Sequence, residues 1–238
     1  MLCRKTWKFL SHIAAGGKAV PNNGETPVWE PFLLVNNGQL ICYYSDQRDP
    51  SYGQKLVHQT TSDLKNWGAV VNDVTESVYS ARPGMPVVAQ MGDGNYIMTF
   101  EYGGAPEGDF SVYYKISNDP FSWSDKKQQV LKANDGTVPR SSPYVMWTQI
   151  GSSSGVTKNG TVVVSAYSDT GLYVNRANGA PNAWTRLSVS NAPAAYSREV
   201  TKGFNPKDIV ILAGGSLGQG STNHVTFSAR DVNGCSTC

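Results

Sequence analysis

Phe110-Ser111-Val112-Tyr113-Tyr114-Lys115-Ile116-Ser117-Asn118-Asp119-Pro120-Phe121-Ser122-Trp123 runs as a β-rich strand into a tight turn that closes on a tryptophan. The same shape recurs along the chain. Leu56-Val57-His58-Gln59-Thr60-Thr61-Ser62-Asp63 leads to Trp67, Gly171-Leu172-Tyr173-Val174-Asn175-Arg176 leads to Trp184, and Lys5-Thr6-Trp7 reads as the tail of an earlier copy. The closing tryptophans fall at 7, 67, 123 and 184, separated by 60, 56 and 61 residues. A period of that size with several short strands per unit is that of β-propeller blades, small sheets that bury their faces only against neighbouring sheets.

Between these turns lie further apolar runs bounded by Gly and Asn: Gly38–Ser45, Asn95–Tyr102, Thr161–Tyr167 and Asp208–Ala213. They read as blade strands, Asn36-Asn37-Gly38 and Gly92-Asp93-Gly94-Asn95 supply hairpin turns at corresponding places, and helices have no convincing position. Ser117–Trp123 and the looser Ser62–Trp67 resemble the Asp-box of sialidase-like propellers without its central glycine. In that motif the aspartate bonds turn N–H groups above the tryptophan, so Asp63 and Asp119 are assigned to folding. Met1 falls inside what reads as a closing turn, and a half-built blade would leave sheet edges open, so an N-terminally shortened propeller is expected.

Composition narrows the function classes. The formal net charge of the 238 residues is only +2, which offers no basic field for phosphate backbones, so no nucleic acid partner is expected. The basic start Met1–Lys5 is followed by no uninterrupted apolar region and nothing later reaches membrane-spanning length, so neither an export signal nor a membrane partner is read. The cysteines at 3, 42, 235 and 238, with His12, His58 and His224, lack zinc-site spacing, and no metal or cofactor is expected. Pairing of Cys3 with Cys42 or of Cys235 with Cys238 stays open, although the short Cys235–Cys238 loop would be strained if closed. Asn159-Gly160-Thr161 is a glycosylation sequon.

The chemistry is carried by carboxylates. Glu30 sits between an indole and a proline in Val28-Trp29-Glu30-Pro31-Phe32, where Trp29 can offer a flat face to a sugar ring and Pro31 restricts Glu30 to extended geometry. Glu101, followed by Tyr102, is equivalently placed in the next unit, and inner strands of adjacent blades converge on one axis. Two carboxylates facing across a funnel are what glycoside hydrolysis needs, one attacking the anomeric carbon and the other protonating the leaving oxygen. Tyr196 would donate to the nucleophile, and Arg82, Arg140 and Arg198 would bind sugar hydroxyls or an anion. Three arginines also leave open a sialidase acting on another sugar, and a third reading is a non-catalytic carbohydrate-binding propeller fragment.

Val28–Phe32, Tyr44-Ser45-Asp46-Gln47-Arg48-Asp49-Pro50, Gly53-Gln54-Lys55-Leu56, Ala81-Arg82-Pro83-Gly84-Met85-Pro86 and Met98–Tyr102 together resemble the fungal exo-arabinanases of glycoside hydrolase family 93. The resemblance implies an all-β, sialidase-like six-bladed propeller, of which residues 1–238 would form about four blades in a single catalytic domain. It implies a secreted, monomeric, retaining hydrolase that releases arabinobiose from the non-reducing end of α-1,5-linked arabinan. By motif it makes Glu30 the nucleophile and Glu101 the acid/base, with Tyr196 contacting the nucleophile and Trp29, Arg82, Tyr102, Arg140 and Arg198 as substrate-binding candidates.

Overall fold

The computed structural model describes residues 6–150, 160–189, 193–203, 208–214 and 224–231, side chains of the last two excepted. Cys3, Asn159, Cys235 and Cys238 lie outside the described residues. The described chain is all-β: it forms four antiparallel sheets in chain order, and no helix occurs among the described residues. The first blade is β1 (Val28–Asn36), β2 (Gln39–Asp46), β3 (Lys55–Thr61) and β4 (Val71–Val74); the second is β5 (Arg82–Gln90), β6 (Tyr96–Gly103), β7 (Ser111–Ser117) and β8 (Gln129–Val130). The third is β9 (Tyr144–Thr148), β10 (Thr161–Ser165), β11 (Leu172–Asn175) and β12 (Trp184–Leu187), and the fourth is β13 (Glu199–Lys202), β14 (Asp208–Ala213) and β15 (Thr226–Asp231). Each sheet is a meander in sequence order, the arrangement of propeller blades.

Period-two alternation sends each face of a blade to a different neighbour. On β6, Tyr96, Met98, Phe100 and Tyr102 pack with Ile41, Tyr43 and Leu56 of the first blade, while Ile97 joins Val162, Val164 and Tyr173 of the third. On β10 and β11, Val163, Leu172 and Val174 face Val200, Ile209 and Ile211 of the fourth. Three of the apolar clusters are therefore blade interfaces, and a fourth, Cys42, Tyr44 and Val57, packs against Ile13 and Ala14 of the segment before β1.

The turns behave as the sequence requires. Asn37 and Gly38 both take positive φ (47° and 77°), the conformation of a two-residue hairpin turn. Asp63 accepts the N–H groups of Lys65 and Asn66 (2.9 and 2.8 Å), Asp119 accepts that of Phe121 (3.0 Å), and Trp123 and Trp184 are fully buried. Trp7 does not follow them: at 97% exposure it packs under no turn and is not the fourth member of the series. The sequon's Thr161 is buried, its hydroxyl donating to the Ile150 carbonyl (2.6 Å).

Polar bonds join the first two blades beneath the apolar contacts. Tyr43 donates its hydroxyl to the Pro120 carbonyl (2.6 Å), which also accepts the Trp123 indole N–H (2.8 Å), and His58 pairs with Asp73 (2.8 Å) while Lys115 caps the Asp73 and Trp123 carbonyls. Tyr43→Phe removes one donor but leaves Pro120 the indole, so the expected loss is about 1 kcal/mol, at the low end for a buried hydrogen bond. A lowered urea midpoint at unchanged slope would report it.

Candidate active site

Glu30 lies inside β1, at a bulge between Trp29 and Phe32, and its backbone is left-handed (φ 53°). The extended geometry expected from Pro31 is thus corrected: the bulge inserts an extra residue that the ladder cannot pair, and the strand absorbs it by a left-handed kink. Such a conformation costs a non-glycine residue roughly 1–3 kcal/mol, and here it sits at a carboxylate facing a cavity.

That cavity, of about 270 Å³, is lined by Pro21, Trp29, Glu30, Gln54, Arg82, Glu101, Phe110 and Tyr196. Glu30 and Glu101 therefore share one pocket, though not from equivalent positions: Glu30 is on the innermost strand of its blade and Glu101 on the second strand of the next. Tyr196, reaching from the chain before β13, donates its hydroxyl to Glu30 Oε1 at 3.1 Å, and the Met85 N–H, which donates to Ser45 Oγ at 3.2 Å, and the Ser45 hydroxyl stand close enough to the carboxyl to favour its charge. Glu101 accepts the Ser142 N–H at 2.7 Å and a bond from the Ser141 side chain. Gly84 keeps the neighbouring space clear, since a Cβ there would stand 3.0 Å from the Gln54 amide nitrogen and 3.5 Å from Glu101 Oε1.

Both carboxyls hold their protons more tightly than usual. Burial first, and the nearby Glu101 charge second, push Glu30 up to about 7, against the bonds from Tyr196, Met85 and Ser45. Burial likewise raises Glu101, against the Ser142 and Ser141 bonds. Two such groups titrate as a pair, so near neutrality the pocket holds a proton that the carboxyls compete for.

Arg82 is fixed by neutral oxygens: its Nη2 donates to Gln47 Oε1 (2.7 Å) and Gln54 Oε1 (2.8 Å), and Nη1 to Asn23 Oδ1 (3.2 Å). Gln47 Oε1 accepts the Trp29 indole N–H as well (2.9 Å), which ties the indole to the guanidinium. Gln47, Gln54, Phe110, Pro21 and the Ser141–Ser142 turn escaped sequence reasoning. None titrates near neutrality; Gln47 and Gln54 fall in stretches that carry the resemblance and Phe110 opens the repeat unit, but nothing in those stretches marks them as pocket residues.

Three expected contacts are not brought together with the rest. Tyr102 belongs to the β6 face that packs on the first blade and its ring meets Tyr113 edge-on (5.2 Å), because side chains alternate and Glu101 takes the pocket side. Arg198 is fully buried and donates to the carbonyls of Thr170, Gly171 and Pro193, so it fastens the fourth blade to the third rather than meeting a ligand. Arg140 is exposed outside the cavity wall, its guanidinium on the Glu107 carbonyl (3.3 Å). The three arginines therefore form no triad. Among the described residues no cluster of His, Cys, Asp and Glu could hold a metal ion, and no helix is long and apolar enough to cross a membrane.

The raised Glu30 value has a thermodynamic sign. Below about pH 4.5 the group is neutral in folded and unfolded states alike; as pH rises through about 7 the unfolded chain has already lost a proton that the folded chain still holds, and stability falls. Glu30→Gln should accordingly be the more stable protein at pH 8, by roughly 1–3 kcal/mol once the wet part of the carboxyl is discounted, and should gain nothing at pH 4. Urea denaturation at the two pH values measures the difference.

No family model and no curated protein matches the chain. Solved structures do. The α-L-arabinofuranosidase of glycoside hydrolase family 93 from Fusarium graminearum, solved with an iminosugar inhibitor, is 44% identical over 96% of this chain with a TM-score of 0.91. The α-L-arabinanase of Penicillium chrysogenum, solved with arabinobiose, is 45% identical over 96% with a TM-score of 0.86. The chain spans 65% and 64% of the length of these two enzymes. An exo-β-1,3-galactanase of Phanerochaete chrysosporium, at 15% identity and a TM-score of 0.57 over 92% of this chain and 54% of its own, shares the fold alone. With its fold and 44–45% of its residues matching the fungal enzymes over 96% of its length, the chain belongs to glycoside hydrolase family 93.

Proposed function

We propose that this chain is a secreted, monomeric glycoside hydrolase whose single propeller domain, residues 1–238, releases arabinobiose from the non-reducing end of α-1,5-linked arabinan with retention of configuration. The observation that carries the reading is the sharing of one pocket by Glu30 and Glu101, in a chain 44–45% identical to enzymes solved with arabinobiose or an iminosugar.

Glu30 is the nucleophile. Its donors, the Tyr196 hydroxyl, the Met85 N–H and the Ser45 hydroxyl, favour its ionised form against burial. The two carboxyls share the proton, and in the reactive microstate it stands on Glu101, which delivers it to the leaving oxygen as the ionised Glu30 attacks the anomeric carbon. Esterification then cancels the Glu30 charge, which makes proton loss from Glu101 easier, and Glu101 has just given its proton away. It can take one from the water that attacks the glycosyl-enzyme, after which Glu30 leaves as carboxylate. Trp29 and Phe110 offer apolar ring faces to the sugar, and Arg82 donates to its hydroxyls.

Assays on linear arabinan test this directly. Glu30→Gln and Glu101→Gln should each lower arabinobiose release by at least 10²–10⁴-fold, the scale of a lost acid–base group, and unchanged release in both would sink the assignment. Arg82→Ala should raise KM about tenfold, because its truncation removes a donor to the sugar, leaves Gln54 Oε1 without its donor and takes away one of the two bonds that fix Gln47 beneath Trp29. Arg140→Ala, whose guanidinium lies outside the cavity, should change KM less than about twofold.

A further inference from the structure

Glu30 is not alone in its left-handed backbone. Met85, Ser142 and Ser197 stand at matching places at the start of the innermost strand of the other blades, with φ of 55°, 41° and 51° beside 53° for Glu30. Pro31, Pro86 and Pro143 follow three of the four, and bulges accompany the first two. Pairing of Trp29 with Ser45 and of Gly84 with Glu101 shows that Ser45 and Glu101 occupy the same place on the second strands of their blades. Each is met there by an N–H from the left-handed residue of the next blade: Met85 donates to Ser45 Oγ at 3.2 Å, and Ser142 to Glu101 Oε2 at 2.7 Å. A bulge releases its extra residue from the ladder, so that residue's N–H is free to leave the sheet. In the first blade the released N–H meets a serine hydroxyl, and in the second a carboxylate stands at the same address.

We infer that Ser142 is a positioning residue for Glu101, its N–H crossing the interface between the second and third blades to fix which carboxyl oxygen faces the substrate. Oε2 is committed to that bond, and Oε1 lies on the side of Gly84 and the pocket. The inference takes its catalytic meaning from the reading of Glu101 as acid/base, but its physical content does not depend on turnover. A charge-assisted bond of this length favours the carboxylate, so losing it must strengthen Glu101's hold on its proton. Ser141, also left-handed at 63°, adds its side chain to the same carboxyl.

The test replaces the Ser141–Ser142 amide by an ester, using the α-hydroxy analogue of serine at 142, which deletes that single N–H and keeps the side chain. In a Glu30→Gln background with ¹³C-carboxyl-labelled glutamate, the Glu101 resonance should titrate about one pH unit higher, a tenfold gain in proton affinity. Ser142→Gly keeps the N–H and should titrate with the parent, whereas Ser142→Val, whose branched side chain resists the left-handed backbone, should move with the ester. An ester variant that titrates with the parent overturns the inference, as does a glycine variant that shifts as far as the ester. If the ester does not fold, the valine variant decides on the same criterion. With Glu30 intact, the ester or valine variant should lose kcat on arabinan about tenfold with KM within about twofold. Failure of the unmodified chain to turn over arabinan would count against the proposed function and leave the titration result standing.

Discussion

A blade of this chain has two apolar faces, and where two blades meet each buries one of them against the other. That single constraint orders the rest. It forces strict alternation on β6 and β10, so that Tyr96, Met98, Phe100 and Tyr102 serve one interface and Ile97 the next, and Val162 and Val164 one interface and Val163 the next. Glu101 is in the Ile97 series. It points away from the first blade, beside the third, and the third blade's Ser142 supplies its N–H. The chemistry is thus mounted on interfaces rather than on any one sheet: Glu30 comes from the first blade, Glu101 from the second, the Ser142 donor from the third and Tyr196 from the chain entering the fourth.

Much of this was legible because repetition and turn chemistry are local. The Trp-closed turns, the Asn-Gly hairpin and the apolar runs declare blades, and Trp29, Glu30, Arg82, Glu101 and Tyr196 all reach one pocket. Tyr102 was misassigned to the pocket, although one residue along a strand from Glu101 a side chain has to face the other way. Trp7 misleads because a tryptophan at the right interval carries no information on whether a turn precedes it.

Other features were not legible, for physical reasons. An arginine's five donors satisfy backbone carbonyls as readily as a substrate, and nothing in Tyr196-Ser197-Arg198 says that the guanidinium ends on Thr170, Gly171 and Pro193. Gln47 and Gln54 position Arg82 and Trp29 without titrating or repeating, so they leave no signature. The kink at Glu30 runs against the usual preference before proline. Only the matched run of Glu30-Pro31, Met85-Pro86 and Ser142-Pro143 shows it as a device of the fold rather than of one glutamate.

That device bears on how a propeller comes to hold two buried carboxylates. Burial opposes charge at both, and a second carboxylate adds to it at each, Glu101 at Glu30 and Asp109 at Glu101, so the pocket is held against its own electrostatics. The donors that offset this are mostly main chain or short side chains fixed by inter-blade packing: the Met85 and Ser142 N–H groups, and Ser45 at the place homologous to Glu101 within the repeat. A backbone donor survives any substitution other than proline that keeps the local φ, and it cannot rotate away while the blades stay docked. A carboxylate introduced at such an address would find its counter-dipole already in place, whereas one introduced elsewhere on the same strand would meet the apolar face of a neighbouring blade. The position of Glu101 is therefore the place where the fold's own inter-blade hydrogen bond makes a buried charge tolerable, and the pocket follows the interface.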